Sequence, residues 1–155
     1  MIKRGSGAGE LSWSFPDDLY YMPFDHEWAR VEGDALRVGI SSFIVWFMSR
    51  LLPIDWMRTV PAGRMVKKYQ ALGSYESPSY FTALRSPVAG EILEVNFEIV
   101  TGPQRIKEAP YEHWIFLIRP ANGATDLRDL PHGGDAVKGW MSQVLAEMES
   151  VGEFD

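Results

Sequence analysis

The sequence predicts a mainly β domain with flanking helices, an α+β chain built on a small β-sandwich or barrel. Three observations carry that reading. From Met57 to Trp114 the chain runs through short segments punctuated by turn residues such as Pro61-Ala62-Gly63 and Ser86-Pro87, the spacing of many short strands. His113-Trp114-Ile115-Phe116-Leu117-Ile118-Arg119 is nearly all apolar, as a strand covered on both faces would be. Val137, Trp140, Met141, Val144, Leu145 and Met148 recur at helical spacing, which sets one amphipathic helix beside the strands.

Taken in order, residues 1–14 are rich in Gly and Ser and predict a flexible tail, and residues 15–155 a single domain. Trp28-Ala29-Arg30-Val31-Glu32 alternates, Gly33-Asp34 turns, and Ala35-Leu36-Arg37-Val38 returns: a hairpin. Ser41 or Ser42 caps a helix through Phe43 to Leu52, which Pro53 ends by lacking an amide hydrogen and disfavouring helix at the residue before it. Pro78 suits the second position of a turn, where its fixed φ is already correct. Val88 to Val95 reads as a strand bent at Gly90. Asp135 is the expected N-cap of the closing helix, which runs to about Ser150.

Composition excludes several functions. The 155 residues are 46% hydrophobic, enough for a packed core, and carry a net charge of −6 with no basic stripe, so nucleic acid is not an expected partner. Cysteine is absent, which removes disulfides, thiol nucleophiles and thiolate metal ligands together. The N-terminal residues have no apolar run behind their basic pair, and the longest apolar stretch, Phe43 to Met48, is far short of the ~20 residues of a membrane helix. The expectation is a cytoplasmic protein with no membrane contact. Gly5-Ser6-Gly7-Ala8-Gly9 lacks the strand and helix of a phosphate loop, and three scattered histidines offer no metal-ligand spacing.

Two other regions carry information. Gly73-Ser74-Tyr75-Glu76-Ser77-Pro78-Ser79-Tyr80 leads into Leu84-Arg85-Ser86-Pro87-Val88-Ala89-Gly90-Glu91, a hairpin with rings around its tip. Adjacent Tyr80 and Phe81 point to opposite faces if the strand is regular, so at least one faces outward. The helix Phe43-Ile44-Val45-Trp46-Phe47-Met48 is apolar all round, unlike a surface helix. Either the segment from Leu51 to Thr59 folds over it or another chain covers it. Trp56 and Met57 add further apolar surface.

The hairpin resembles that of the glycine cleavage system H-protein family, which reads Gly-x-x-Glu-Ser-x-Lys-Ala and then Leu-x-Ser-Pro-x-x-Gly-Glu. Leu19-Tyr20-Tyr21, His26-Glu27-Trp28, Val31-Glu32-Gly33-Asp34, Val38-Gly39-Ile40-Ser41, Glu94-Val95-Asn96, Pro110-Tyr111 and Trp114-Ile115 follow in the family's order, covering roughly residues 15 to 130. The resemblance implies a barrel-sandwich hybrid, the lipoyl-domain fold, and a carrier scaffold that catalyses nothing itself. It also places the family's lipoyl-lysine position on Ser79. A lysine amine holds lipoate as a stable amide, and a serine hydroxyl offers no equivalent.

The lysines are Lys3, Lys67, Lys68, Lys107 and Lys138, none at the tip. As a nucleophile, Ser79 would need a base and an orienting group, and no Gly-x-Ser-x-Gly elbow surrounds it. The expectation is therefore no catalytic residue, no metal and no lipoate. The chain reads as a non-lipoylated paralogue that works as a binding or assembly module. Its partner, a protein or a second copy of itself, would dock through Tyr75, Ser79 and Tyr80 at the tip or Trp46, Phe47 and Trp56 near the helix. The alternative is a carrier in glycine cleavage or an allied pathway, modified at a lysine outside the family position.

Overall fold

The computed structural model describes residues 1–4 and 11–154. Eleven strands and three α-helices run β1 (Ile2–Arg4), β2 (Leu11–Trp13), β3 (Tyr20–Tyr21), β4 (Glu27–Glu32), β5 (Ala35–Ile40), α1 (Ser42–Met48), β6 (Trp56–Thr59), β7 (Met65–Val66), β8 (Ala71–Glu76), β9 (Phe81–Arg85), β10 (Gly90–Val95), α2 (Phe97–Thr101), β11 (Phe116–Pro120) and α3 (Gly134–Ser150) among those residues. A six-stranded sheet in the order β3-β4-β5-β11-β10-β7 faces a three-stranded sheet, β6-β8-β9, and β1 pairs with β2. Every pairing is antiparallel.

The main core lies between the two larger sheets. Leu36, Val38, Ile40, Ile92, Phe116 and Ile118 come from one, and Met57, Leu72, Tyr75 and Leu84 from the other, with Ile44, Val45 and Met48 of α1 closing the end. The β4–β5 hairpin forms as its turn residues require: Glu32 pairs with Ala35, and Gly33 takes φ +64°, a conformation glycine enters without penalty.

A second, aromatic core sits outside the six-stranded sheet. Ile2, Trp13, Phe15, Leu19, Tyr21, Trp28, Phe43, Val137 and Met141 pack together, with Trp46, Tyr111 and Trp140 around them. Trp28 is its fixed point: fully buried, with Nε1 donating to the Pro110 carbonyl at 3.0 Å. Opposite it on β5, Gly39 leaves room for the indole, because a Cβ there would lie 2.5 Å from the ring. Trp28→Ala is expected to cost about 3–5 kcal/mol of stability, read as a shift in the urea midpoint without a change of slope.

Three expectations need correcting. The tail predicted over residues 1–14 instead contributes two strands, because Ile2 and Trp13 have an apolar surface to pack against; residues 5–10 lie outside the described residues. The helix expected to reach Leu52 stops at Met48. The Ser49 hydroxyl and amide both bond to the Val45 carbonyl, and Arg50 Nε bonds to the Phe47 carbonyl, so the last turn is capped before Pro53 can act. At its start Ser41 does cap, accepting from the Ile44 amide. Finally, α3 begins at Gly134 with Gly133 as N-cap; Asp135 lies in the first turn, where its charge still favours the helix dipole.

Candidate functional site

The β8–β9 hairpin ends in a two-residue loop. Ser77 and Tyr80 exchange backbone hydrogen bonds of 3.0 and 3.3 Å, leaving Pro78 and Ser79 exposed at the turn. The tip therefore presents one hydroxyl beside a rigid ring. Two of the three histidines are engaged elsewhere. His26 is buried between the rings of Phe43 and Trp140, His132 stacks on Tyr20 at 3.9 Å with Nδ1 against the Leu19 carbonyl, and His113 leads into β11. Among the described residues no group of three or more metal-ligating side chains converges.

The rings around the tip divide as alternation demands. Tyr80 turns inward, its ring 4.8 Å from Phe47 and its hydroxyl accepting from Arg50 Nη2 at 2.7 Å. Phe81 turns outward and is 66% exposed. Strand register aligns Phe81 with Glu76 and Trp56 across three strands, and Trp56 is 42% exposed. Tyr75 is a correction: expected at a partner surface, it is fully buried. Tyr75 pairs with Thr82 on the face opposite Glu76 and Phe81, which is the core side, and the register shift between Ala71 and Gly73 lets Leu72 point inward as well.

Behind the hairpin lies an ionisable pair that sequence reasoning read only as part of a strand. Glu27 is fully buried; its Oε1 accepts from the Arg85 amide at 3.1 Å. Burial, with the Asp25 charge beside it, pushes its carboxyl well above the ordinary range. Arg85 in turn pairs with Asp25 at 2.9 Å. Burial and the Glu27 charge likewise push the Tyr75 phenol up. Next to it burial lowers the His26 imidazole to about 4.

Part of the surplus apolar surface of α1 is covered by two segments of this chain remote from it in sequence. Leu51 and Leu52 stay 74% and 53% exposed, while Ile54 and Met57 of the following segment are buried in one cluster with Ile44, Val45 and Met48. On the other side β2 and residues 151–154 close over the helix. Trp13 meets Phe43 and Trp46 edge-on at 5.1 and 5.0 Å, and Phe154 stacks on Trp46 at 6.1 Å. Trp46 and Phe47 keep partial exposure. Arg50, not singled out by sequence, binds this region together; a cation set among aromatic residues was the signal available for it.

The lysines stand in different states. Lys67, Lys107 and Lys138 are exposed. Lys68 Nζ bonds to the Asp129 carboxylate at 2.6 Å and to the Asp126 carbonyl. Partial burial pulls its pKa down, but the hydrogen bond and charge of Asp129 outweigh this and raise it, which withholds the free amine. Among the described residues no helix is long and apolar enough to cross a membrane.

Comparison with known proteins adds four findings. The family model described as "Glycine cleavage H-protein" matches residues 19–149. The chain is 36% identical over 107 residues to a probable glycine cleavage system H protein 3 of Sulfurisphaera tokodaii, covering 69% of this chain and 76% of that one. It is 34% identical over 112 residues to the glycine cleavage system H protein of Halalkalibacterium halodurans, covering 72% and 84%. The crystal structure of a glycine cleavage system H protein from Mycobacterium marinum superposes with a TM-score of 0.68 at 27% identity, over 84% of this chain and 98% of that one. The mainly β, barrel-sandwich expectation agrees with this likeness.

Proposed function

The chain belongs to the glycine cleavage H-protein family, and from that premise we propose that it is a non-lipoylated member acting as a binding or assembly module. One observation carries the reading: the exposed tip of the β8–β9 hairpin, where the family resemblance calls for a lysine, ends in Ser79. Family members carry lipoate on a lysine amine, and the residues at this tip do not fit that group. A serine would hold an acyl chain only as a hydrolysable ester. Lys68, the nearest lysine before the hairpin in sequence, spends its amine on Asp129.

The same surroundings support a docking role. Without a flexible arm, the tip offers a partner a tight turn, an exposed Ser79, and the outward Phe81 and Trp56. Tyr80 and Phe47 support it from beneath, clamped by Arg50. Exposed aromatic residues on a rigid scaffold are common anchors of protein interfaces. The partner would be a protein that reads H-protein shape, such as another component of glycine cleavage.

Intact mass of the protein purified from its own host tests the reading. The expected result is the mass of the unmodified chain, and the immobilised full chain is expected to retain a host protein. A lipoyl-sized increment mapping to Lys67, Lys107 or another lysine would replace it with the carrier reading.

A further inference from the structure

The face of α1 beside the hairpin tip is filled by this chain's own Glu153 and Phe154. We propose that it is a recognition groove for an acidic–aromatic peptide segment of a partner protein, which displaces those two residues. The inference deepens the docking role proposed above and rests on it only for the biological purpose of the groove.

The groove reads two adjacent side chains by different chemistry. Arg50 takes the carboxylate: Nη2 pairs with Glu153 Oε2 at 3.0 Å, and Nη1 donates to the Glu153 carbonyl at 3.1 Å. The guanidinium lies over Phe47 at 4.4 Å and against Trp46 and Tyr80 at 5.3 Å each, with only 18% of the side chain exposed. A cation held so far out of water on aromatic faces demands an anionic partner, since leaving it unpaired would cost the full desolvation of a charge. Trp46 takes the ring: Phe154 stacks on it at an interplanar angle of 20°, and the Arg4 guanidinium also lies over the Phe154 ring at 4.3 Å. An apolar peptide would leave Arg50 unpaired, and a purely acidic one would leave Trp46 bare.

The present occupant is short. After α3 the chain reverses at Gly152, with φ +79° and the Glu153 amide bonded back to the Met148 carbonyl. Two residues then reach the groove, and the Val151 before them is 74% exposed. Attachment to α3 gives this contact a high effective concentration, which a partner segment must outweigh with further contacts. A partner segment with the same two side chains and additional contacts, for instance to exposed Leu51, competes on favourable terms. Because Arg50 also holds the Tyr80 hydroxyl, an exchange at the groove is felt at the hairpin tip.

A fluorescein-labelled peptide corresponding to residues 149–155 is the probe, titrated against the full chain by fluorescence anisotropy. The full chain with Glu153→Ala and Phe154→Ala together is expected to bind it at least tenfold more tightly than the parent. Adding Arg50→Ala to that variant is expected to abolish binding, as is replacing the peptide's glutamate by glutamine. No binding to the opened variant while its circular dichroism matches the parent overturns the proposal, as does binding that ignores Arg50. A concentration-dependent dimer of the parent that Phe154→Ala dissolves also overturns it, by making the occupant a second copy. These outcomes do not depend on the mass of the host protein, so the groove and the non-lipoylated reading fail separately.

Discussion

A chain carrying Ser79→Lys is expected to gain a lipoyl group when incubated with a lipoate-attaching enzyme, lipoate and ATP, while the parent gains none. The expectation follows from the form of the hairpin. Position 79 is the second residue of a two-residue loop, exposed, with its neighbours fixed by two backbone hydrogen bonds. A lysine there projects its amine away from the body on four methylenes, and no carboxylate of the loop stands ready to capture it as Asp129 captures Lys68. Intact mass and peptide mapping read the result. Modification of the variant alone means that only the attachment residue separates this chain from a carrier. If the variant also stays unmodified, the recognition surface has diverged with it, and Pro78 and the Arg50-bound Tyr80 are the first positions to revert. Modification of the parent would contradict the proposed function outright.

The second large effect concerns acid. Burial lowers the folded-state pKa of His26 from 6.5 to about 4, so between those values the unfolded chain binds a proton that the folded chain refuses. Stability from this residue is complete above pH 6.5 and is lost as pH falls toward 4, by about 3 kcal/mol in all. Its neighbour Glu27 works in the opposite sense. Burial and the charge of Asp25 raise its folded pKa, against the smaller opposing effects of the Arg85 amide and guanidinium. Its contribution is present below the unfolded value near 4.5 and is lost as pH rises through the raised folded value. Across the window from about 4.5 to 6.5 the two slopes oppose each other.

Urea titrations across that window therefore give distinct expectations for three chains. The parent should vary little. His26→Asn keeps the left-handed backbone at φ +64°, which asparagine tolerates, and should become more stable as pH falls. Glu27→Gln should become less stable as pH falls. The slope, not the absolute stability, is the readout, because each substitution also changes packing. Parallel slopes in all three would show that neither group titrates across this range as its burial implies.

Much of the architecture was legible because it is locally encoded. The β4–β5 hairpin follows from Gly33 and alternation, α3 from the spacing of Val137, Met141, Val144 and Met148, and the opposed Tyr80 and Phe81 from the two-residue period of a strand. What failed depends on distant partners. Tyr75 pairs with Thr82 on the face opposite Glu76 and Phe81, and alternation alone does not announce which face meets the core. The apolar surplus of α1 was visible, but part of its cover was not: that part comes from Trp13, some thirty positions before, and Phe154, more than a hundred after. The burial of Glu27 and His26 was likewise invisible, since it is produced by β9, α1 and α3 closing over one end of β4.

The aromatic core has a consequence for the order in which the molecule assembles. Its ties are almost all remote in sequence: Trp28 to Pro110, Ser14 to Tyr111, Pro23 to Trp140, and Arg50 to Glu153. The hairpins of the two larger sheets close short loops and bury the main core among themselves. Long-range closure is slow because its entropy is spent before its contacts form. During synthesis α1 thus emerges long before Phe154 exists to shield it. For that interval Trp46 lacks Phe154 and Arg50 lacks Glu153, and the nascent chain passes through a state in which the groove is open before its own residues can compete for it.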